Sequence, residues 1–160
     1  MIIFVECVDG SGKTTLVNTL EKSGYKKMDV IDRTLQGQYW EWNCLKDKVK
    51  FSRKPAIVDR SFISELVYRL FDDEVPTIDL QSISFLLEND VKIIYCKNKN
   101  SYSNAMSRGE HKITDKYVHK NIEDAYDIVM SIIEKFTRCP VFKYDFDYDS
   151  IGEIINFINR

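Results

Sequence analysis

Two patterns of apolar residues alternate along the chain, short continuous runs and longer segments with helical spacing. The runs, together with one more mixed segment, predict five strands at residues 2–5, 25–31, 55–58, 91–96 and 140–146. Helical spacing predicts helices after residue 13, over 37–51, from about 63, near 78–89, over 122–136 and over 151–158. Because continuous apolar runs fit strands that are covered on both faces, the pattern predicts an α/β fold built on a parallel sheet.

The segment between the first predicted strand and the first predicted helix carries the most specific signal. Residues 6–15 read ECVDGSGKTT. The glycines let successive backbone N–H groups point at phosphate oxygens, and the helix that begins near Lys13 adds the positive end of its dipole. Lys13 would reach the β- and γ-phosphates of a nucleotide, and the Thr14 hydroxyl would ligate Mg²⁺. Cys7 stands where the full Walker A pattern has glycine, and a small side chain is tolerable there in an ordinary backbone conformation.

A second candidate feature follows the third predicted strand. Asp59 and Arg60 come directly after it, and ligands of parallel sheets bind beyond the carboxyl ends of the strands. Arg60, Ser64 and Tyr68 are spaced four apart, on a different face of the next predicted helix from its apolar residues. We therefore expect these three side chains to look into the same site as the phosphate cradle.

The composition fits a single domain with a small-molecule partner. A chain of 160 residues without a low-complexity stretch is expected to form one domain, residues 1–160. The 23 basic residues are balanced by 25 acidic ones, which argues against a nucleic acid or a membrane surface as partner. The apolar start is too short for a signal peptide or a membrane span, so we expect a cytoplasmic protein.

The cysteines and histidines show no metal-site spacing. The four cysteines, at positions 7, 44, 96 and 139, lie far apart, and we expect buried free thiols. We expect His111 and His119 to be exposed residues of a loop and a helix rather than acid–base groups.

Three groups of residues follow one another in an order that is found in a known family. They are Glu6-x2-Asp9-Gly10-x-Gly12-Lys13-Thr14-Thr15, Arg33-Thr34-x2-Gly37 and Asp59-Arg60-x3-Ser64-x3-Tyr68. With Arg108-Gly109-Glu110 and Asp115-Lys116, they resemble the thymidylate kinases from residue 2 to about residue 126. The resemblance implies a P-loop nucleoside monophosphate kinase fold, with a five-stranded parallel sheet flanked by helices and a short mobile lid at about residues 97–116. It also implies Mg²⁺-dependent phosphoryl transfer from ATP to a deoxynucleotide.

The resemblance and the chemistry of phosphoryl transfer together give each matched residue a role. The cradle for ATP comprises Gly10, Ser11, Gly12, Lys13, Thr14 and Thr15. The expected catalytic residues are Lys13, Asp59, Arg60 and Arg108, with Thr14 and Asp59 at the metal. The expected acceptor contacts are Asp9, Arg33, Trp40, Arg60, Ser64 and Tyr68.

Several of these roles follow from the type of side chain. Guanidinium groups bind phosphate oxygens bidentately, which favours Arg33 and Arg60 at the acceptor phosphate. In the family the residue at the position of Asp9 faces the acceptor sugar, and Trp40, with Tyr39 and Phe51 as alternatives, would stack on the base.

The lid is the expected source of a further catalytic charge. Gly10 stands where one subgroup of the family has an arginine, so the lid must supply that charge here. We expect Arg108 to do so, with Lys112 and Lys116 as competitors. We also expect residues 97–116 to be mobile without ligand and to close over the phosphates, because their charges have no evident partners before nucleotides bind.

Two departures from the family leave the acceptor open. Between Gly37 and Pro55 the chain is shorter than in thymidylate kinases, and Arg69 replaces a glutamine that commonly lies near the base. A deoxynucleoside monophosphate, thymidylate or a related pyrimidine, is the first candidate acceptor. One alternative is a kinase of a hydroxyl acceptor, either a deoxynucleoside or the end or a modified base of a nucleic acid, with Asp32 or Glu6 as base. The other is a non-catalytic nucleotide-binding protein. The sequence also leaves a homodimer open.

Overall fold

A computed structural model of the chain describes residues 1–28, 54–69, 80–109 and 115–160. The elements are β1 (Ile2–Glu6), α1 (Lys13–Lys22), β2 (Lys26–Met28), β3 (Ala56–Asp59), α2 (Phe62–Arg69), α3 (Leu80–Glu88), β4 (Val91–Lys97), α4 (Ser101–Ser107), α5 (Lys116–Thr137), β5 (Val141–Asp145) and α6 (Ile151–Asn159). The predicted helix over 37–51 lies outside the described residues.

The five strands form one parallel sheet in the order β2-β3-β1-β4-β5. The first strand of the chain is central, with Ile2 opposite Ala56 of β3 on one side and Val91 of β4 on the other. All five strands therefore end at the same edge, and β1, β3 and β4 are neighbours there. The predicted α/β class with a five-stranded parallel sheet is confirmed.

The two faces of the sheet are covered by different helices. Successive side chains of a strand point to opposite faces, so Phe4 joins a core cluster with residues of α2, α3 and α5. Val5 joins a second cluster with residues of α1 and α6. Every residue of β1 is buried, which is why its apolar pattern is continuous rather than alternating. Among the described helices, none combines the length and the apolar composition of a transmembrane segment.

The segment 97–116 differs from the expected polar flap. Residues Ser101–Ser107 form α4, which the apolar pattern did not predict because only Ser101 and Ala105 of this helix are buried. The expectation that the charges of the segment lack partners is wrong for two of them. The Nζ atom of Lys97 lies 2.9 Å from the Asp127 carboxylate, and that of Lys99 lies 3.4 Å from the Asp147 carboxylate.

The long helix α5 begins about six residues before the first residue of its predicted apolar stripe. The Asp115 side chain accepts hydrogen bonds from the backbone N–H groups of Tyr117 and Val118, and this cap starts the helix at Lys116. The extra turns bring His119 onto the same face as Ile122 and Tyr126, both of which are buried.

Candidate active site

The loop between β1 and α1 lies at the edge of the sheet where β3 and β4 also end. Gly10 and Gly12 have φ angles of 82° and 87°, in the left-handed region that side chains disfavour. A Cβ atom on Gly10 would overlap the Ser101 carbonyl oxygen and lie 2.8 Å from the backbone nitrogen of Ala105, both in α4. A Cβ atom on Gly12 would lie 2.7 Å from the ring of Phe146. The loop is thus packed between α4 and Phe146, and each glycine is required by backbone conformation and by contact.

Lys13, the first residue of α1, places a positive charge directly after this loop. Its ammonium group forms an ion pair with Asp59, the last residue of β3. Burial lowers the pKa of Lys13, and the nearby positive charge of Arg60 lowers it further. The Nζ atom of Lys27 lies 3.9 Å from the other oxygen of Asp59. Lys13 and Arg60 therefore share one electrostatic environment, in which Asp59 compensates the charge of Lys13.

The Thr14 and Thr15 side chains, next in α1, are exposed. Ser11, by contrast, is fully buried, and its Oγ atom has no hydrogen-bond partner within the described residues.

Arg60 follows β3 with a φ of 67°, a left-handed conformation that is uncommon for arginine. Its guanidinium pairs with the Asp9 carboxylate and donates to the Cys7 carbonyl oxygen at 3.2 Å and to the Tyr126 hydroxyl at 3.4 Å. Its Cζ atom lies 5.7 Å from the centre of the Tyr68 ring. The side chain is thus held over the same loop that carries Lys13.

A buried carboxylate ties β1 to the start of α2. Glu6, the last residue of β1, is fully buried and accepts from the Ser61 backbone N–H at 2.6 Å and from the Ser64 hydroxyl at 2.5 Å. The Ser64 and Tyr126 hydroxyls lie 2.8 Å apart. Burial raises the pKa of Glu6, and the hydrogen bonds from Ser61 and Ser64 oppose that shift. Both oxygens of Glu6 are therefore engaged in positioning the turn that carries Arg60.

The structure brings most of the expected site residues to this edge of the sheet. They are Asp9, Gly10, Ser11, Gly12, Lys13, Thr14, Thr15, Asp59, Arg60, Ser64 and Tyr68. Arg108 lies at the C-terminal end of α4 with an exposed side chain. The other expected positions lie outside the described residues, among them Arg33, Trp40, Asp32, Tyr39, Phe51, His111 and Lys112.

Four residues at the site were missed by the sequence analysis. They are Asn104, His119, Tyr126 and Phe146. The expectation that His119 is exposed is wrong. It is only 3% exposed, because α5 begins early enough to place it on the buried face of that helix. The spacing of positions 119, 122 and 126 was the available signal.

The expected free thiols are confirmed where the structure describes them. Cys7, Cys96 and Cys139 are buried and unpaired with one another, whereas Cys44 lies outside the described residues. Burial raises the pKa of Cys7 to about 11. Among the described residues, no group of three or more His, Cys, Asp or Glu side chains could hold a metal ion by itself.

The sequence matches no protein-family model and no curated protein. Solved structures do match. YorR from Bacillus subtilis, in complex with phosphorylated GDP, is similar over 99% of this chain and 94% of its own, with 20% identity and a TM-score of 0.72. Deoxyadenosine kinase from M. mycoides with bound dCTP is similar over 99% of both chains, with 19% identity and a TM-score of 0.65. The same kinase with bound dATP is similar over 100% of both chains, with 20% identity and a TM-score of 0.64. These likenesses, together with the loop after β1, show that the chain has the fold of the P-loop kinases.

Proposed function

We propose that this chain transfers the γ-phosphoryl group of ATP to a deoxynucleoside monophosphate and so forms the diphosphate. Thymidylate or a related pyrimidine nucleotide is the first candidate acceptor. The observation that carries the proposal is the pair of partly buried cations, Lys13 and Arg60, at one edge of the sheet, each matched by a carboxylate. Two such cations suit a reaction that brings two phosphate chains together, because phosphoryl transfer is catalysed mainly by positioning and charge stabilisation.

The donor half consists of the loop after β1 and Lys13. The left-handed glycines bring backbone N–H groups close to an anion, and the N-terminus of α1 adds a partial positive charge. When ATP binds, Lys13 would exchange the Asp59 carboxylate for oxygens of the β- and γ-phosphates. Until then, the ion pair with Asp59 compensates the charge of the partly buried ammonium group.

Mg²⁺ fits the side chains beside the loop. The Thr14 hydroxyl is exposed and the Asp59 carboxylate is close to Lys13, and Mg²⁺ usually takes one or two protein oxygens while water and phosphate supply the rest. Two protein ligands are therefore enough for Mg²⁺ binding, since the ion would arrive with the nucleotide. When bound, it would neutralise charge on the phosphates.

The acceptor half is built around Arg60. Its guanidinium has donors to offer an acceptor phosphate, and its neighbours Cys7 and Tyr126 fix its direction. Asp9, released from its ion pair with Arg60, would accept from the sugar hydroxyl. Ser64 and Tyr68 line the same side, and we keep Arg33 and Trp40 as proposed contacts to phosphate and base.

The proposed catalytic charge from the lid is Arg108. Because Gly10 leaves no room for a side chain against α4, the loop itself cannot carry the arginine that one subgroup of thymidylate kinases has there. Arg108 follows the last residue of α4 and comes three residues after Ala105, whose backbone packs against Gly10. We propose that it stabilises charge on the transferred group.

The ligands of the structural neighbours support a nucleotide substrate. The deoxyadenosine kinase structures hold dATP and dCTP, and the YorR structure holds phosphorylated GDP.

The likeness to a deoxyadenosine kinase also favours a second candidate function, phosphorylation of a deoxynucleoside hydroxyl. That reaction needs a base, for which the sequence offers Glu6 and Asp32. Both oxygens of Glu6 are already bound to Ser61 and Ser64, and Asp32 lies outside the described residues, so the described part of the site favours two phosphates over a base. We therefore prefer the monophosphate acceptor, and we keep a cytoplasmic location and a homodimer as proposals.

The test is an initial-rate panel with ATP, Mg²⁺ and each deoxynucleoside or deoxynucleoside monophosphate in turn, read as ADP release. We expect turnover with a monophosphate, loss of it in Lys13→Ala, and retention in the control Lys27→Ala, which removes the more distant cation near Asp59. Turnover with nucleosides alone would establish the second candidate. No turnover with any acceptor, despite ATP binding, would indicate a non-catalytic protein.

A further inference from the structure

Two side chains from the helices on either side of residues 108–115 contact consecutive carbonyl groups of the phosphate-binding loop. The Nε2 atom of His119, in α5, lies 2.9 Å from the carbonyl oxygen of Asp9. The side-chain amide of Asn104, in α4, donates to the carbonyl oxygen of Gly10 at 3.3 Å. Neither residue belongs to the sequence motif of the loop. His119 is 110 positions from Asp9 in the chain, and Asn104 is 94 positions from Gly10.

The surroundings of His119 hold its ring in place and make its Nε2 atom a donor to the loop. The residue is 3% exposed, and its ring packs edge to face against the ring of Tyr102 in α4, with centroids 5.6 Å apart. A carbonyl oxygen can only accept, so the Nε2 atom must carry the proton in this contact. His119 therefore donates to the loop and at the same time connects α5 with α4.

Holding these carbonyl groups also orients the N–H groups of the loop. Each peptide unit is planar and trans, and no peptide bond in the described residues is cis, so a carbonyl and the following N–H point in opposite directions. Fixing the Asp9 and Gly10 carbonyl groups toward the helices therefore turns the N–H groups of Gly10 and Ser11 the other way. The N–H of Ser11 donates to the Val8 carbonyl oxygen at 3.4 Å within the loop, so the N–H of Gly10, which shares its peptide unit with the carbonyl held by His119, is the one prepared for an anion. Backbone N–H groups that are aimed in advance bind an anion without a reorganisation cost.

We propose that His119, assisted by Asn104, is a positioning residue that holds the loop in the conformation that binds the phosphates of ATP. The proposal rests on the proposed function of the loop as the donor site. It assigns His119 a contact with the backbone of the loop and no contact with substrate.

The variants separate hydrogen bonding from packing. His119→Phe keeps an aromatic ring against Tyr102 and removes the donor, whereas His119→Gln places an amide nitrogen where Nε2 stood. Asn104→Asp removes the second donor with little change of shape. The matched control is Asn121→Asp, the same chemical change at an exposed position of α5.

The first measurement needs no nucleotide. Amide hydrogen exchange of peptides that cover residues 7–14 is followed by mass spectrometry in the ligand-free protein. We expect exchange to accelerate about three- to tenfold in His119→Phe and in Asn104→Asp, as the loss of one ordinary hydrogen bond implies. His119→Gln and Asn121→Asp should match the wild type, and unchanged exchange in His119→Phe would overturn the proposal.

The second measurement is the dissociation constant of Mg²⁺-ATP by calorimetry, together with steady-state kinetics. We expect His119→Phe to weaken ATP binding about three- to tenfold and to raise the apparent KM for ATP while leaving that for the acceptor unchanged. If His119→Gln is as defective as His119→Phe, the ring shape rather than the donor matters, and the proposal is wrong. If the wild type binds no ATP, the proposed function fails, and the exchange measurement still decides whether His119 holds the loop.

Discussion

At the scale of single residues, Arg60 is the residue whose conformation most clearly points to function. Its φ of 67° costs on the order of 1–3 kcal/mol, a cost that persists in proteins where the surroundings fix the residue. Asp9, Cys7, Tyr126 and the ring of Tyr68 all hold its side chain. A strained backbone with a firmly held guanidinium is expected of a group that must be in place before an anion arrives.

We expect Arg60→Ala to raise the KM for a monophosphate acceptor by about one to two decades, since a hydrogen bond to a charged group contributes about 1.5–3 kcal/mol. The KM for ATP should change much less. The matched control is Arg138→Ala, because Arg138 is the other described non-glycine residue with a positive φ, at the end of α5 and exposed. An unchanged acceptor KM in Arg60→Ala, measured by ADP release, would remove Arg60 from the acceptor site.

Cys7 makes stability depend on pH in the alkaline range. Burial raises its pKa from 9.0 to about 11, so the folded state favours the neutral thiol. The stabilisation is complete below pH 9 and is lost as pH rises toward 11, by on the order of 2–3 kcal/mol for this group. Urea unfolding should show this loss in the wild type and a smaller loss in Cys7→Ala. Parallel curves for the two proteins between pH 8 and pH 11 would contradict it.

At the scale of elements, the packing of α4 on the loop between β1 and α1 is the feature that the local sequence does not predict. Gly10 touches the backbone of α4, and Asn104 of the same helix binds its carbonyl oxygen. Helix α4 therefore acts as a wall of the site, although its own residues are mostly polar.

The packing of Gly10 against α4 is tested by comparing Gly10→Ala with the control Gly152→Ala. The first puts a Cβ atom into the backbone of α4 at a positive φ, and we expect a lower melting temperature and loss of nucleotide binding. The second lies in α6 with its nearest neighbour, the Ser150 hydroxyl, 3.6 Å away, so alanine should raise stability by about 0.5–1 kcal/mol. If both variants melted and bound alike, the contact between loop and helix would not matter.

Arg108, at the end of α4, is tested by its effect on kcat. If it stabilises transition-state charge, Arg108→Ala should lower kcat by about 10³ to 10⁵ with little change in ATP affinity, as arginines in that role do. Lys116→Ala, at the start of α5, is the comparison. Full activity in Arg108→Ala together with loss of activity in Lys112→Ala or Lys116→Ala would transfer the role to that lysine.

At the scale of the whole molecule, the fold was predictable because its signals are local. The apolar run of β1 and the glycines after it could be interpreted without the rest of the chain, and both lie in the structure where predicted. Asp59 and Arg60 reach the site because all parallel strands end at one edge.

The parts that could not be predicted depend on contacts between distant segments. Tyr126 contacts Arg60 across 66 positions, and His119 contacts Asp9 across 110. Neither distance follows from periodicity, which assigns a side chain to a face without naming its partner. Helix α4 was missed because its burial is against the loop rather than through an apolar stripe.

The measurement that tests the central claim most directly compares two bridged dinucleotides, adenosine joined to deoxythymidine through four or five phosphates. ATP and a monophosphate acceptor together carry four phosphates, whereas ATP and a nucleoside acceptor carry three. In the bridged compound one extra phosphate spans the gap between the two reactants, so five phosphates mimic the first pair and four mimic the second. Because Lys13 and Arg60 provide one cation for each reactant, we expect the five-phosphate compound to bind at least tenfold more tightly than the four-phosphate compound. Calorimetry would show this as a difference of about 1.4 kcal/mol in binding free energy. Tighter binding of the four-phosphate compound, or no gain of either over ATP alone, would contradict the monophosphate kinase assignment.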